Sequence, residues 1–403
     1  MGKGFLPLWL SSTISNFGDG MRYVALPLLA YQISSEPLDI SLVAILSSLP
    51  WILGGTFVGV LVDRVNRRLA VFVANIARVV PLSLLVIAVL TGQAQMWHVY
   101  VLAFTLPIFE AVVDTASVPL IQQAVPDKGL EKANARFYIG RILSQDVLGS
   151  PAAGFLFAFS AAAPFIIDGF TFVVAALLIF LVPPAPAPAR TGQGLLAAAK
   201  EGVRVTLSTP VLRQIMLMAA VVNFMLMAGA AILVIYAKED LRLSDPQFGM
   251  LFTVAAVGSV MGGMLAPKLV HTFGTPVVLV LSVALQGAAR LLFGLADGLI
   301  AAYIAYFCAG VAAFVWHVAA NAYRQRTTDN STLGRVMATS FSLSHAAAAL
   351  GAVAAGLTAE LFGARPVMIG GGIGVLLCAA VSATILLRDK SGEAREVVSK
   401  GAS

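Results

Sequence analysis

Asp19 and Arg22 stand three residues apart inside a long apolar run, residues 6–33. That spacing puts both side chains on one face of a helix. A charge at the centre of a membrane helix costs about 2.5–3.5 kcal/mol on insertion scales, so such groups are functional candidates by default. Glu110 and Asp114, four apart, share a face of a second run, and Arg141 and Asp146 lie in a third. The chemistry open to these groups is proton exchange. Burial favours the protonated carboxyl and a neighbouring guanidinium favours the carboxylate, so a group poised between them can trade a proton or a cationic ligand. Asp19, Glu110 and Asp114 are the proton-coupling candidates, with Arg22, Arg141 and Asp146 as charge partners. A permanent Asp19–Arg22 ion pair that only fixes helix packing is the competing reading. If Arg141 neutralises Asp114, Glu110 is left to titrate. Asp168 reads as a helix-packing group, and Arg78 and Arg290 as snorkelling or paired cations.

The elements that must hold these groups follow from composition. Of 403 residues, 59 % are hydrophobic and 11 % charged, and mean hydropathy is +0.90. A soluble domain carries about a quarter charged residues, so lipid is the main solvent of this chain. Twelve apolar runs, near 6–33, 40–62, 69–91, 97–123, 136–160, 163–184, 211–237, 246–266, 276–296, 298–323, 335–360 and 365–387, are long enough to cross a ~30 Å hydrocarbon core. The expected fold class is an all-α polytopic membrane protein. Cys308 and Cys378 both lie in such runs, with no metal or disulfide spacing. Most of the 26 lysines and arginines fall in loops on the side of the N-terminus, against Lys238, Arg242 and Arg365 on the other. That asymmetry predicts both termini on the cytoplasmic side of a cytoplasmic (inner or plasma) membrane. The pI of about 9.4 is therefore a topology signal, and nucleic acid is not an expected partner.

Between runs six and seven, "VPPAPAPARTGQGLLAAAKEGVR" reads as a stiff Pro-Ala stretch followed by a polar piece. It predicts an N-terminal six-helix bundle over 1–184, a cytoplasmic linker over 185–208, a C-terminal bundle over 209–390 and a tail over 391–403. The halves echo one another: "GVLVDR" at 59–64 with "GMLAPK" at 263–268, and "PAAGFL" at 151–156 with "VAAGLT" at 353–358, both roughly two hundred residues apart. Duplicated six-helix units enclosing a mid-bilayer site are a transporter signature.

"GVLVDRVNRRLAV", residues 59–71, joins the second and third runs. Gly55 and Gly59 permit close helix approach. Asp63 at the membrane surface can cap the positive end of another helix, with Arg64, Arg67 and Arg68 beside it, so Gly59, Asp63, Arg64, Arg67 and Arg68 are read as a cytoplasmic latch. This stretch resembles the loop 2–3 motif of the major facilitator superfamily. "SNFGDGM", "VALPLLAY", "VPDKGLEKANA" at 125–135 and "AAPFIIDGFTFVVAALL" at 162–178 resemble its twelve-span drug:proton antiporter branch, which includes macrolide, multidrug and siderophore exporters. The antiporter element of span five reads "SPAAGF" here, with Ser150 and Phe155 in place of two glycines. Span four carries Glu110 and Asp114 where many drug antiporters place a basic residue.

The resemblance implies two pseudo-symmetric bundles and rocker-switch export of amphipathic small molecules against the proton gradient, with no bound cofactor and no metal. Spans one, four, seven and ten would line the cavity. Asn223, Met225 and Met227 of span seven, and Trp316, His317, Asn321 and Tyr323 of span ten, are the substrate-cavity candidates. The methionines serve equally as core filler, and a lone helix histidine such as His317 or His345 as a packed hydrogen-bonder. The expected partners are a small amphipathic substrate and membrane lipids, with the chain a monomer. A dedicated siderophore or secondary-metabolite exporter is the alternative in the same class; a non-transporting sensor or receptor on this scaffold is one in another. An enzyme is not expected: four scattered histidines and the absence of Gly-x-Ser-x-Gly or a phosphate-cradling loop leave no catalytic constellation.

Overall fold

In hydrocarbon, backbone polar groups find no water, so a chain this apolar closes its hydrogen bonds within helices. A computed structural model describes residues 4–62, 65–125, 129–183, 203–328 and 330–386. Helices α1 (Phe5–Ile33), α2 (Pro37–Val62), α3 (Arg67–Leu90) and α4 (Met96–Ala124) come first. The fifth, α5, runs through Leu130–Arg141, a π-helical stretch Ile142–Gly149 and Ser150–Phe159, and α6 is Ala163–Leu178. There follow α7 (Pro210–Ala231), α8 (Asp245–Phe273), α9 (Thr275–Gly294), α10 (Leu299–Thr327), α11 (Asn330–Phe362) and α12 (Ala364–Leu386). Among the described residues there is no strand, and ten of these helices, α3 to α12, are long and apolar enough to cross a membrane. Each of these twelve helices coincides with one of the twelve apolar runs, and a further short helical stretch, 203–208, lies at the end of the expected linker. The Pro-Ala stretch of the linker and the tail at 391–403 lie outside the described residues.

Ends and irregularities have local causes. The Asn66 side chain caps α3 by accepting from the N–H groups of Arg68 and Leu69. Gly274, at φ +78°, and Gly363, at φ +83°, make the one-residue turns into α9 and α12, which a Cβ would strain. The π-helical stretch of α5, in which Ser150 N–H donates to the Gln145 carbonyl, ends just before Pro151, whose missing N–H leaves the next acceptor in that register, the Asp146 carbonyl, to the Thr253 hydroxyl.

The helices group into two compact units. The first comprises α1–α6 with Ala230–Ala256 and Ala355–Leu361; the second takes the remainder of α7, α8 and α11 together with α9, α10 and α12. Within the first, α1 packs on α5 and α6, and α3 and α4 complete its interior. The "SPAAGF" segment packs closely there: a side chain at Gly154 would run into the backbone of Asp245 and Pro246, and one at Gly249 into the carbonyl of Ser150.

Candidate functional site: a buried charge cluster

Glycines bring the site together. Gly18 leaves room for the side chains of Asp168 and Thr171 of α6, while Gly20 lies against the backbone of Gln145 in the π-helical stretch. Asp19, between them, is held where α5 and α6 both close on α1. One turn on, Arg22 donates from a single nitrogen, Nη2, to Asp19 Oδ1 at 2.9 Å and to Glu110 Oε2 at 2.9 Å. Glu110 follows Pro107 by nearly one turn of α4. Arg78 of α3 adds a second guanidinium, its Nη1 3.5 Å from Asp19 Oδ2 and donating to Ser15 Oγ at 3.3 Å. The same guanidinium stacks on Phe172 of α6, 4.7 Å from the ring centroid. All four charged side chains are buried. An ion pair this deep survives only with its partners intact, because removing one leaves an uncompensated charge.

Around this core the burial is graded. Tyr23, Asp114 and Arg141 are exposed, on α1, α4 and α5. Arg141 donates Nε to Gln145 Oε1 at 3.2 Å and reaches Asp114 through its field rather than by a contact ion pair. Asp146 is half-buried, and its carbonyl accepts from Thr253 at 3.3 Å. Asp19, Arg22 and Glu110 therefore form one contact cluster, Asp114 and Arg141 flank it on the exposed side, and Asp146 serves a backbone contact.

The remaining candidates are placed elsewhere. Of the latch residues, Asp63 and Arg64 lie outside the described residues and Gly59 is placed only as a residue of α2. Arg67 is buried at the start of α3. Arg68 donates to the Val182 carbonyl at 2.9 Å and lies over the Phe180 ring, 5.0 Å from its centroid. In the second unit Met225, Trp316 and Tyr323 pack into the apolar core built around Val283 and Val375. Asn223 bonds back to the Ala219 carbonyl at 2.8 Å, and Met227 is half-buried. His317, Asn321 and Arg324 form a polar string along α10, with 3.0 Å between His317 Nε2 and Asn321 Nδ2 and 3.2 Å from Arg324 to Asn321. Among the described residues, no group of His, Cys, Asp and Glu is arranged to hold a metal ion.

The sequence profile of a family described as transmembrane secretion effector matches residues 2–401. The chain belongs to this family of the major facilitator superfamily. Relatives within the superfamily include an uncharacterized transporter, YfiS of Bacillus subtilis, 28 % identical over 90 % of this chain and 88 % of that one. The multidrug efflux pump Tap of Mycolicibacterium fortuitum is 24 % identical over 91 % of both. The enterobactin exporter EntS of Shigella flexneri is 23 % identical over 82 % of this chain and 79 % of its own. Among solved structures, a bacterial homologue of the iron transporter ferroportin in its inward-facing state superposes with a TM-score of 0.77, at 15 % identity, over 95 % of this chain and 98 % of that one. The protein is thus a multi-pass membrane transporter of the major facilitator fold, among relatives that are transporters rather than enzymes.

Sequence reasoning gave two members of the cluster no functional part, reading Asp168 as a helix-packing group and Arg78 as a snorkelling or paired cation. Arg78 and Asp168 are each lone ionisable residues in apolar runs, a signal as strong as that of Asp19. What they lacked was a partner at helical spacing, because their neighbours come from other helices.

Proposed function

We propose that this transporter is a proton-coupled exporter of amphipathic small molecules, working by alternating access in a bacterial cytoplasmic membrane with both termini inside. The observation that carries the reading is Arg22 held between Asp19 and Glu110 in the interior of the first unit, with Asp114 and Arg141 on the exposed side. One cation shared by two carboxylates is a balance that a proton can tip: protonating Glu110 leaves Arg22 to Asp19, and deprotonation restores the clamp. Tap and EntS, both exporters by name, support export as the direction. Small amphipathic molecules are the cargo, and the chain works as a monomer among membrane lipids.

The test is purified protein in liposomes with an imposed pH gradient and ethidium as probe. Vesicles acidified inside are expected to accumulate the dye, and a protonophore to abolish accumulation. Glu110→Gln is expected to lose uphill accumulation while retaining downhill dye movement. Accumulation that ignores collapse of the gradient overturns the coupling; absence of flux for any of a set of cationic, neutral and anionic amphiphiles overturns transport of this class. A response confined to a catecholate siderophore would select a dedicated exporter, the reading that the EntS relative favours.

A further inference from the structure

Asp168 of α6 is 0 % exposed, and among the described residues neither of its carboxylate oxygens has a hydrogen-bond partner. Its Oδ1 sits against Gly18, the residue before Asp19, and the Thr171 hydroxyl beside it donates to the Asp168 backbone carbonyl rather than to the carboxylate. The charged groups that face it from the neighbouring helices are Asp19 and Arg22 of α1, Arg78 of α3 and Glu110 of α4. Those four balance among themselves, two carboxylates against two guanidiniums, and they are joined by contacts of 2.9, 2.9 and 3.5 Å. Asp168 brings a third carboxylate to the same buried cluster with no cation in contact.

We propose that Asp168 holds the resident proton of this transporter, as a neutral carboxylic acid that cancels the cluster's single excess negative charge. The reasoning is a choice among sites. A proton on Asp19 or Glu110 would weaken a charge-assisted contact with Arg22, which is about twice as strong as a neutral one. Asp114 is exposed, so a proton there relieves no fully buried charge. Only at Asp168 does protonation remove a buried, unsatisfied charge and break nothing. On release the O–H bond breaks, the electron pair stays on the carboxylate, and the proton passes to water admitted when alternating access opens the site. A cation must then compensate, and Arg78, stacked on Phe172 one turn along α6, has Nε and Nη2 without a hydrogen-bond partner among the described residues. The inference deepens the proton-coupled reading above and rests on it only for the proton's part in transport.

Infrared spectroscopy of the full-length protein in liposomes at neutral pH tests this without a substrate. The carbonyl stretch of a protonated carboxylic acid is expected, shifting when the protein is made with isotope-labelled aspartate and not with labelled glutamate. Asp168→Asn is expected to remove the band. Arg78→Gln is expected to raise its intensity about two-fold, since the cluster's excess negative charge then rises from one to two while Asp19 keeps Arg22. Should Asp168→Asn not fold, Asp168→Glu is expected to move the band from the aspartate label to the glutamate label. No protonated band in the unmodified protein, a band that follows the glutamate label there, or one that survives Asp168→Asn overturns the proposal. Dye accumulation and the infrared band are separate readouts, so either reading can fail while the other stands.

Discussion

The interior of the first unit is held partly by ions and that of the second by packing. In the first, α1, α3, α4 and α6 contribute Asp19, Arg22, Arg78, Glu110 and Asp168 to one buried cluster. In the second, α7, α9, α10 and α12 meet through Met218, Val283, Trp316 and Val375, with glycines such as Gly287 and Gly372 set against neighbouring backbone. The contrast is sharpest between two arginines on the third helix of each half. Arg78 has Asp19 at 3.5 Å, whereas Arg290, half-buried, donates to the Val222 carbonyl at 3.5 Å and has no carboxylate in contact among the described residues. Close-packing glycines thus occur in both units, whereas the buried contact cluster of charges lies in the first. A repeated scaffold must keep its packing in both copies, whereas ions that cost energy to bury are tolerated where they do something.

The comparison can be broken most forcefully at its centre. Arg22→Ala strands the buried Glu110 and leaves Asp19 only the longer contact with Arg78, and thermal unfolding in detergent is expected to register a loss of about 4 kcal/mol; combining it with Asp19→Asn and Glu110→Gln is expected to restore most of this. On the other side, Trp316→Ala opens a void in a core that is apolar among the described residues, for a loss of about 3 kcal/mol. That variant is expected to leave the pH dependence of dye transport unaltered, which transport assays at several gradients would check. Gly20→Ala is expected to cost about 2 kcal/mol by pushing α1 off the Gln145 backbone, again read by thermal unfolding. The smallest effect is expected at Arg290→Met, within about 1 kcal/mol of the parent because no carboxylate loses a partner. A large loss there would mean that the second unit, too, is organised around charge.

The local part of this architecture was legible early. Where the helices run is set by stretches of apolar sequence long enough for a bilayer, and Phe5–Ile33 or Thr275–Gly294 differ from the sequence reading by only a residue or two at each end. The Asp19–Arg22 contact was legible as well, because three residues along a helix already bring two side chains together. The same pattern reading that flagged Met225 and Trp316 for a cavity had no means of telling the packed side of a helix from the open one. Both are apolar to a chain that lies in lipid; in the structure Trp316 is buried in the apolar core of the second unit and Met225, half-buried, packs against it.

What the amino-acid sequence determined by itself was therefore the number, the boundaries and the lipid-bound nature of the helices, together with the presence of costly charges within them. Which charges meet was decided by tertiary packing alone. Glu110 lies 88 residues from Arg22, and Arg78 and Asp168 reach the same cluster from two further helices. Periodicity governs neighbours along one helix, while contacts between helices depend on where small residues such as Gly18 and Gly20 let backbones close up.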